Sequence, residues 1–253
     1  MSEDGWEIVP AGGVTGEAFF AFHNDEKLFL KRNSSPFLAV LSAEGIVPKL
    51  IWTKRLENGD VITAQHWISG RKLEPFDMSS EKVAKMLKKI HSSKPLLKML
   101  RRIGKSPAYP EHLYYEIDHL LFNVKEDSTI KSALQFLKER LPSVKVSNWS
   151  VCHGDVHHNN WMMTEDNQLY LIDWDSATIG DPALDIGPLL YWYIPESEWG
   201  SWLKKYGLPL TNDFLKRMEW YVVYQSLLMF SLFHEKGIEE ESRYWKEYLG
   251  TLL

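Results

Sequence analysis

The stretch HGDVHHNN, residues 153–160, places three histidines, one aspartate and two asparagines within eight positions. Two short apolar runs follow, WMMT at 161–164 and LYLI at 169–172, with the polar turn EDNQ between them. Two such runs joined by a short polar turn are typical of a β-hairpin. Asp173 follows the second run, so we predict that this aspartate and the polar loop lie at the same end of one hairpin.

The hairpin register predicts which polar side chains meet. If EDNQ is a four-residue loop, Thr164 pairs with Leu169 and Asn160 lies opposite Asp173. Side chains directly opposite each other have Cβ atoms about 5 Å apart, and Mg²⁺ accepts amide and carboxylate oxygens as ligands. We therefore predict that Asn160 and Asp173 bind Mg²⁺. Asp155, in the same loop, is the candidate group to accept a hydroxyl proton during phosphoryl transfer.

The composition is that of a folded protein. Of 253 residues, 44% are hydrophobic, so the chain can bury a sizeable core as one large domain or two smaller ones. With 29 Lys and Arg against 34 Asp and Glu, the formal net charge of -5 disfavours direct binding of nucleic acid. Cys152 is the only cysteine, so no disulfide can form within the chain.

Two stretches of the sequence bear on the cellular location of the protein. MSEDGWEIVP at 1–10 lacks the basic and apolar regions of a signal peptide. The longest apolar stretch, at 222–233, is interrupted by polar residues and falls short of the roughly 20 residues that span a bilayer. We therefore expect a cytoplasmic protein with no membrane span.

The first 68 residues have the pattern of a small antiparallel sheet. A short helix is predicted near PFLAVLSAEG, and Asn58-Gly59 is a strong hairpin signal. About five strands are predicted, from the runs GWEIVP (5–10), GEAFFAF (16–22), KLFLKR (27–32), PKLIWTKRL (48–56) and DVITAQHWI (60–68).

Residues from Ser79 onward are mostly helical in pattern. In residues 79–93 a capping serine precedes an apolar face, and we expect His91 to belong to that core face. The stretch 69–80 is the predicted boundary between a β domain at 1–68 and a helical domain at 69–253. Further helices are predicted near 111–124, 128–140, 183–193, 211–233 and 239–251. The fold class is α+β.

Three motifs together carry a family resemblance. HGD at 153–155, then Asn160 after four residues, then an apolar strand ending in Ile172-Asp173, and finally GDPALDIG at 180–187, resemble the catalytic core of the aminoglycoside phosphotransferase and choline kinase superfamily. That resemblance implies a bilobal protein-kinase-like fold, with a small β N-lobe and a larger helical C-lobe, and the use of ATP and Mg²⁺. It makes Asp155 the catalytic base and Asn160 and Asp173 the metal ligands. It also implies that Asp185 braces the catalytic loop.

The same resemblance extends to the nucleotide-binding half. PAGGVTGEAFF at 10–20 resembles a glycine loop that covers phosphates, and Lys31 lies where the family has a phosphate-contacting lysine. Glu44 is the candidate partner of that lysine. The residues implied to bind ATP are Gly12, Gly13, Thr15, Gly16, Lys31 and, through the hinge backbone, His66, Trp67 and Ile68.

A narrower resemblance concerns the acceptor. The motifs HGDVHHNNW and LYLIDWDSA, with a short first helix, resemble the CcrZ family of bacterial kinase-like cell-cycle regulators. That implies phosphorylation of ribose, 2-deoxyribose or a related sugar or nucleoside, and protein partners in replication initiation or division. The alternatives are a choline, ethanolamine or aminoglycoside kinase, and a nucleotide-sensing scaffold without a catalytic role. Nine basic residues between Glu81 and Lys105 keep an acidic protein partner open, although a solvated helix face is the commoner explanation.

Three further residues have open roles. His153 is expected to hold the loop backbone, His157 to face solvent or substrate, and Asp175 either to reach the acceptor pocket or to cap the next segment. A zinc site formed by His153, Asp155 and His157 would require the stretch to be a strand, whereas Gly154 favours a loop.

Overall fold

The computed structural model describes residues 6–11, 17–24 and 26–253. The strands in these ranges are β1 (Glu7–Pro10), β2 (Ala18–His23), β3 (Glu26–Arg32), β4 (Leu50–Arg55), β5 (Val61–His66), β6 (Gly70–Lys72), β7 (Ser150–Cys152), β8 (Trp161–Thr164), β9 (Leu169–Leu171) and β10 (Thr178–Gly180). The α-helices there are α1 (Phe37–Ala43), α2 (Glu81–Ser92), α3 (Lys94–Arg102), α4 (Pro110–Leu120), α5 (Ser128–Arg140), α6 (Ala183–Tyr193), α7 (Glu196–Tyr206), α8 (Asn212–Glu235) and α9 (Glu239–Leu252).

The chain folds into two compact units, each made of separate stretches of sequence. Unit 1 consists of Met1–Glu74, Lys94–Gly104 and His158–Asp173. Unit 2 consists of Pro75–Ser93, Lys105–His157 and Trp174–Leu253. These two units are defined by which residues pack together in the folded chain. The predicted boundary after residue 68 divides the chain by sequence order alone, and it stays a prediction.

Unit 1 contains a five-stranded antiparallel sheet with the strand order β1-β2-β3-β5-β4. Because side chains alternate between the two faces of a sheet, one face carries a small core of Ala21, Leu28, Leu30 and Ala64. Gly59 turns the chain between β4 and β5 with a φ of +91°, a conformation that favours glycine. The predicted N-terminal antiparallel sheet and its hairpin turn are confirmed.

A second sheet of unit 1 has the order β6-β8-β9 and includes the predicted hairpin. Thr164 N–H donates to Gln168 O at 2.9 Å, so the loop has three residues, 165–167. Asn167 closes it with a φ of +68°, as three-residue hairpin loops require near their end. The predicted pairing of Thr164 with Leu169 is therefore wrong by one residue.

The strand β6 was not predicted, because its residues lie within the stretch 69–80 that was interpreted as a boundary. It pairs with β8, and Gly70 lies opposite Thr164. A Cβ atom on Gly70 would lie 2.4 Å from Met163 O, so the backbones of these strands approach too closely for any larger residue.

Unit 2 is mostly helical, with one two-stranded sheet formed by β7 and β10. The 24-residue helix α8 packs against α4, α5, α6 and α9, and so runs through the core of the unit. Thr211 caps its start, since the Thr211 hydroxyl oxygen accepts a hydrogen bond from Phe214 N–H at 3.2 Å. The predicted helices from α2 onward are confirmed, with ends that differ by a few residues.

Two helices, α3 and α7, were missed, although α7 has sequence signals at both ends. α7 begins after Pro195, carries Glu196 and Glu198 in its first turn, and ends at Tyr206, before Gly207 with a φ of +96°. Acidic residues at the start and a left-handed glycine at the end are typical helix boundaries. Among the residues that the structure describes, no helix is long and apolar enough to cross a membrane.

Two helical glycines provide a matched test of packing. A Cβ atom on Gly187 in α6 would lie 2.9 Å from Met218 O in α8, whereas one on Gly200 in α7 would have no neighbour within 4 Å. We expect Gly187→Ala to lower the free energy of unfolding by about 1–3 kcal/mol, because the helices must move apart. Gly200→Ala should raise it by up to about 1 kcal/mol, because alanine favours helix.

Urea unfolding followed by circular dichroism measures both values. Equal effects of the two substitutions would show that the close approach of α6 and α8 does not limit the packing of unit 2.

Candidate active site

The loop after β7 is held by one carboxylate, that of Asp185 on α6. Asp185 Oδ2 accepts a hydrogen bond from His153 N–H at 2.8 Å, and Asp185 Oδ1 accepts one from Gly154 N–H at 2.9 Å. These are the two amides that directly precede Asp155. The structure therefore brings Asp185 to the loop that the sequence motifs indicated.

The Asp185 side chain is fully buried, yet it is held in its ionised form. Burial alone would raise the pKa of this carboxyl, but the hydrogen bond from His91, the nearby His153 and the Gly154 N–H together keep its pKa below the ordinary value. A carboxylate that accepts several hydrogen bonds in a dry environment is a rigid anchor, because each donor would lose its partner if the carboxylate moved.

Gly154 allows the loop to make its turn. Its φ is +80°, and a Cβ atom there would lie 2.7 Å from Ser176 O. The His153 ring is buried, and its Nδ1 accepts a hydrogen bond from Asp155 N–H at 3.2 Å. Asp155 itself is exposed. The loop is thus fixed through its backbone while the Asp155 side chain remains accessible.

A cavity of about 310 Å³ lies beside Asp155 within unit 2. One stripe of α8 forms a wall, with Gln225, Leu228, Met229, Leu232 and Glu235 spaced so that they face the same side. Gln225 also ties this wall to the loop, because its Nε2 donates to Gly154 O at 3.2 Å. The other lining residues are Leu120, Gly154, Asp155, Val156, Ser176, Leu184, Pro188, Trp192 and Ser231.

The remaining predicted residues of unit 2 lie near this loop. The His157 ring is half-buried, with its centroid 6.1 Å from that of Tyr193. Asp175 is exposed, and its neighbour Ser176 lines the cavity instead. The roles proposed for His157 and Asp175 stay predictions.

In unit 1, Lys31 and Asp173 come together. Lys31 Nζ lies 3.9 Å from Asp173 Oδ1, and 27% and 56% of the two side chains are exposed. Lys31 lies in β3 between Ala18 on β2 and Thr63 on β5, so its backbone is fixed on both sides. The structure therefore pairs a lysine from the sheet with an aspartate that follows the hairpin.

The corrected register changes how Asp173 reaches this place. Asn160 O accepts a hydrogen bond from Ile172 N–H at 2.8 Å, so Asp173 lies one residue beyond the position opposite Asn160. Asp173 has a φ of +62°, a left-handed conformation that costs about 1–2 kcal/mol in a non-glycine residue. This turn takes Asp173 out of the strand alternation, so strand register alone does not determine its side-chain direction.

The predicted hinge follows β5 in unit 1. His66 N–H donates to Lys49 O at 2.9 Å. Trp67 N–H donates to the opposite side, to Lys27 O at 3.2 Å. Successive amides of extended backbone point to opposite sides, so Ile68 N–H is expected on the same side as His66.

The other predicted residues of the nucleotide-binding half remain untested. Gly12, Gly13, Thr15 and Gly16 lie outside the described residues. Glu44 directly follows α1, and its pairing with Lys31 stays a prediction.

The zinc hypothesis is not favoured. Among the residues that the structure describes, the one group of three His, Cys, Asp or Glu side chains close enough to share a metal is His91, Cys152 and Asp185. Burial raises the pKa of the Cys152 thiol well above its ordinary value, so the thiolate that zinc prefers is disfavoured there. Asp185 is also already occupied by three hydrogen-bond donors.

The comparisons with known proteins agree with this geometry. The model of the phosphotransferase enzyme family matches residues 9–218. The chain therefore belongs to the phosphotransferase enzyme family, a class of enzymes that transfer phosphoryl groups. A protein of Metamycoplasma hominis described as uncharacterised is 29% identical over 157 residues, which make up 61% of this chain and 30% of that protein. The chain thus spans less than a third of the length of this curated relative.

Solved structures show the same fold. Choline kinase LicA from Streptococcus pneumoniae is 17% identical, with a TM-score of 0.72 over 97% of this chain and 92% of that chain. The aminoglycoside 2'-phosphotransferase-IIIa is 11% identical, with a TM-score of 0.73 over 97% and 92%. LicA has been solved with AMP, and the aminoglycoside enzyme with GDP. The predicted kinase-like α+β fold is confirmed.

Sequence reasoning missed two parts of the site. His91 contacts Asp185, and Tyr206 contacts His91, yet the sequence pattern gives His91 only as a core position of a helix. The cavity wall on α8 was visible only as a buried apolar helix, although polar Gln225 and Glu235 at its two ends were a signal that one face is not ordinary core.

The ionised Asp185 predicts an acid-dependent stability. Because its pKa is lowered by folding, its contribution is present above the ordinary value of 3.8 and is lost as the pH falls below it. We expect Asp185→Asn to lower the free energy of unfolding at pH 7 by about 3 kcal/mol, since buried donors lose their acceptor. The difference from the natural chain should shrink as the pH approaches 3.

Urea titrations from pH 7 to pH 3 measure this difference. The control is Asp213→Asn, because 69% of that side chain is exposed in its ion pair with Arg217. A pH-independent effect of Asp185→Asn would contradict an ionised anchor.

Proposed function

We propose that this protein is an ATP-dependent kinase that transfers the γ-phosphate to a hydroxyl group of a small molecule. The observation that carries the proposal is the anchored loop 153–155, whose fixed backbone presents an exposed Asp155 beside a cavity. A phosphoryl transferase needs such a fixed acceptor for the hydroxyl proton, since positioning contributes much of its catalysis.

Nucleotide binding is assigned to unit 1. Lys31 would contact the phosphates of ATP, and its ion pair with Asp173 keeps both side chains on the same side of the sheet. Adenine offers an amino donor beside a ring-nitrogen acceptor, which suits the carbonyl of His66 and the amide of Ile68. Trp67 packs edge-on against Phe20 with ring centroids 4.7 Å apart, which stiffens the hinge.

The residues present fit Mg²⁺. Asn160 and Asp173 offer oxygen ligands, and Asp173 is more than half exposed, so water and phosphate oxygens could complete the coordination. When bound, Mg²⁺ neutralises phosphate charge and helps to align the group that is transferred. Lys31 contributes a fixed positive charge to the same phosphates.

The reaction balances with these groups. The acceptor hydroxyl oxygen forms a bond to the γ-phosphorus while the bond from that phosphorus to the β-γ bridging oxygen breaks. ADP leaves with the bonding electron pair, and Asp155 takes the hydroxyl proton and later releases it to water. The anchored amides of His153 and Gly154 keep Asp155 in place throughout the transfer.

The charge of the residues that line the cavity limits which acceptor it can bind. Its titratable lining residues are Asp155 and Glu235, and among the described residues no Lys, Arg or His lines it. A phosphate or carboxylate on the acceptor would meet like charge, at a cost of about 3 kcal/mol for 5 Å at an effective dielectric constant of 20. The cavity therefore favours a neutral or cationic alcohol.

Ribose or 2-deoxyribose is the proposed acceptor, on the resemblance to the CcrZ family. Asp155, Ser176 and Gln225 offer hydrogen bonds to sugar hydroxyls, and Trp192 offers a ring to pack against the sugar carbons. Choline or ethanolamine is the alternative, because Glu235 and Trp192 would also suit an ammonium group.

A role in replication initiation or cell division is proposed on the same resemblance. All nine basic residues between Lys82 and Lys105 are exposed, and their positive charge would attract an acidic protein partner. This observation also favours the second candidate function, a regulatory scaffold that senses nucleotide.

Two substitutions separate catalysis from metal binding. We expect Asp155→Asn to lower kcat at least about 100-fold with little change in the KM for ATP, because only the proton acceptor is lost. Asp173→Ala should raise the Mg²⁺ concentration needed for half-maximal rate. ADP release, with varied ATP and Mg²⁺, measures both effects.

Normal turnover by Asp155→Asn would contradict its assigned role. In cells, a chain with Asp155→Asn that still supports growth and division would favour the scaffold over the kinase.

The charge of the cavity predicts which acceptors are used. We expect turnover with a neutral sugar or a cationic alcohol, and a kcat/KM at least about 100-fold lower for a matched anion such as ribose 5-phosphate, since its charge is repelled. A coupled ADP assay across ribose, 2-deoxyribose, choline, ethanolamine and an aminoglycoside measures this. Comparable rates with ribose and ribose 5-phosphate would contradict the cavity assignment.

A further inference from the structure

We propose that His91 and Tyr206 are positioning residues, which fix the Asp185 carboxylate and through it the catalytic loop, and thereby set the rate of phosphoryl transfer. The proposal rests on the kinase function proposed above.

The three side chains form one buried hydrogen-bonded chain. His91 Nε2 lies 2.9 Å from Asp185 Oδ2, and His91 Nδ1 lies 2.8 Å from the Tyr206 hydroxyl oxygen. The His91 and Asp185 side chains are 2% and 0% exposed, and Tyr206 is buried as well. The helices α2, α6 and α7 each supply one member.

The direction of the hydrogen bonds follows from the chemistry of each group. Ionised Asp185 can only accept, so His91 Nε2 donates to it. Nδ1 makes its hydrogen bond with the Tyr206 hydroxyl, which stays protonated because burial raises the pKa of Tyr206. Each polar group of the chain therefore has a hydrogen-bond partner, and Tyr206 restrains the His91 ring in the orientation that reaches Asp185.

This chain restrains one of the two carboxylate oxygens that hold the loop. Asp185 Oδ2 accepts both from His91 and from His153 N–H, so the imidazole opposes rotation of the carboxylate out of the loop. Rotation would release the amides of His153 and Gly154 and move Asp155. A displacement of about 1 Å in a reacting group can lower a rate about 100-fold.

The composition of α2 argues against a purely packing role. The other buried positions of this helix are small or aliphatic, whereas His91 alone brings a polar ring into its buried face. Apolar replacements of buried polar groups are often equally stable, so stability by itself does not call for a histidine there. The hydrogen bond to Asp185 does require a polar side chain at this position.

The test compares four variants of the whole 253-residue chain. His91→Leu removes the donor, His91→Gln keeps an amide donor, and Tyr206→Phe removes only the hydroxyl. The matched control is Trp199→Phe, since Trp199 lies in the same helix as Tyr206 but donates to Ile194 O at 2.9 Å instead. Turnover is measured as ADP release per folded molecule, and amide hydrogen exchange is measured for the peptide that spans Cys152 to Asp155.

We expect a graded loss of kcat with the KM for ATP unchanged within about threefold. His91→Leu should lower kcat about 100-fold. His91→Gln should recover part of that loss, and Tyr206→Phe should lower kcat several-fold. Exchange of the loop amides should become at least about tenfold faster in His91→Leu, and Trp199→Phe should leave both readouts unchanged although it lowers Tm.

The rate of His91→Leu should also depend differently on pH. Without the imidazole donor, Asp185 takes up a proton more readily, so the acid limb of the kcat profile should move to higher pH. Tyr206→Phe should move it less. The titratable groups that surround Asp185 are Cys152 on β7, His153 in the loop, Asp181 with its partner Arg217, and Tyr206 on α7.

The outcomes separate the two proposals. If folded His91→Leu keeps normal kcat and normal loop exchange, the positioning role is wrong. If His91→Leu does not fold, unchanged kcat and exchange in both Tyr206→Phe and His91→Gln overturn it equally. Absence of turnover in the natural chain with every acceptor would count against the kinase function, while the hydrogen exchange would still decide whether His91 holds the loop.

Discussion

The Asp185 carboxylate lies away from water and accepts hydrogen bonds from His91 and from two successive amides of the loop 153–155. Much of unit 2 is arranged around this contact. The close approach of α6 to α8 at Gly187 holds the helix that carries Asp185. The left-handed Gly154 lets the loop turn so that its amides reach the carboxylate. A buried charge of this kind is tolerated because every donor around it is provided by the fold.

The anchored loop explains how a flexible polar sequence could serve as a catalytic group. Six polar residues in eight positions would cost conformational entropy to order, and the backbone bonds to Asp185 supply that order without using the Asp155 side chain. In unit 1, the backbone of Lys31 is also ordered by the fold, because its strand β3 pairs with β2 on one side and with β5 on the other. Both are cases of preorganisation, in which folding orients the reacting side chains before substrate binds.

Charge and shape together limit what the cavity beside Asp155 can hold. Over about 15 Å of helix, its α8 wall is polar at Gln225, Ser231 and Glu235 and apolar at Leu228, Met229 and Leu232. Such a wall suits a small alcohol with carbon surface and few charges. It does not distinguish a sugar from an amino alcohol. The acceptor therefore depends on a few side chains of the wall, whereas the phosphoryl transfer depends on the loop and on unit 1.

The sequence by itself determined the antiparallel sheet, most of the helices and the hairpin, since each depends on local periodicity and turn chemistry. It also singled out Asp155 and Asp173, because the predicted hairpin brings them to one end, and Lys31 through the family resemblance. The loop length of the hairpin was not determined, since Asn167 adopts a left-handed conformation that shortens the loop by one residue. The tertiary structure alone decided that His91 meets Asp185 and Tyr206, because His91 precedes them by 94 and 115 residues and no local pattern encodes contacts of that range.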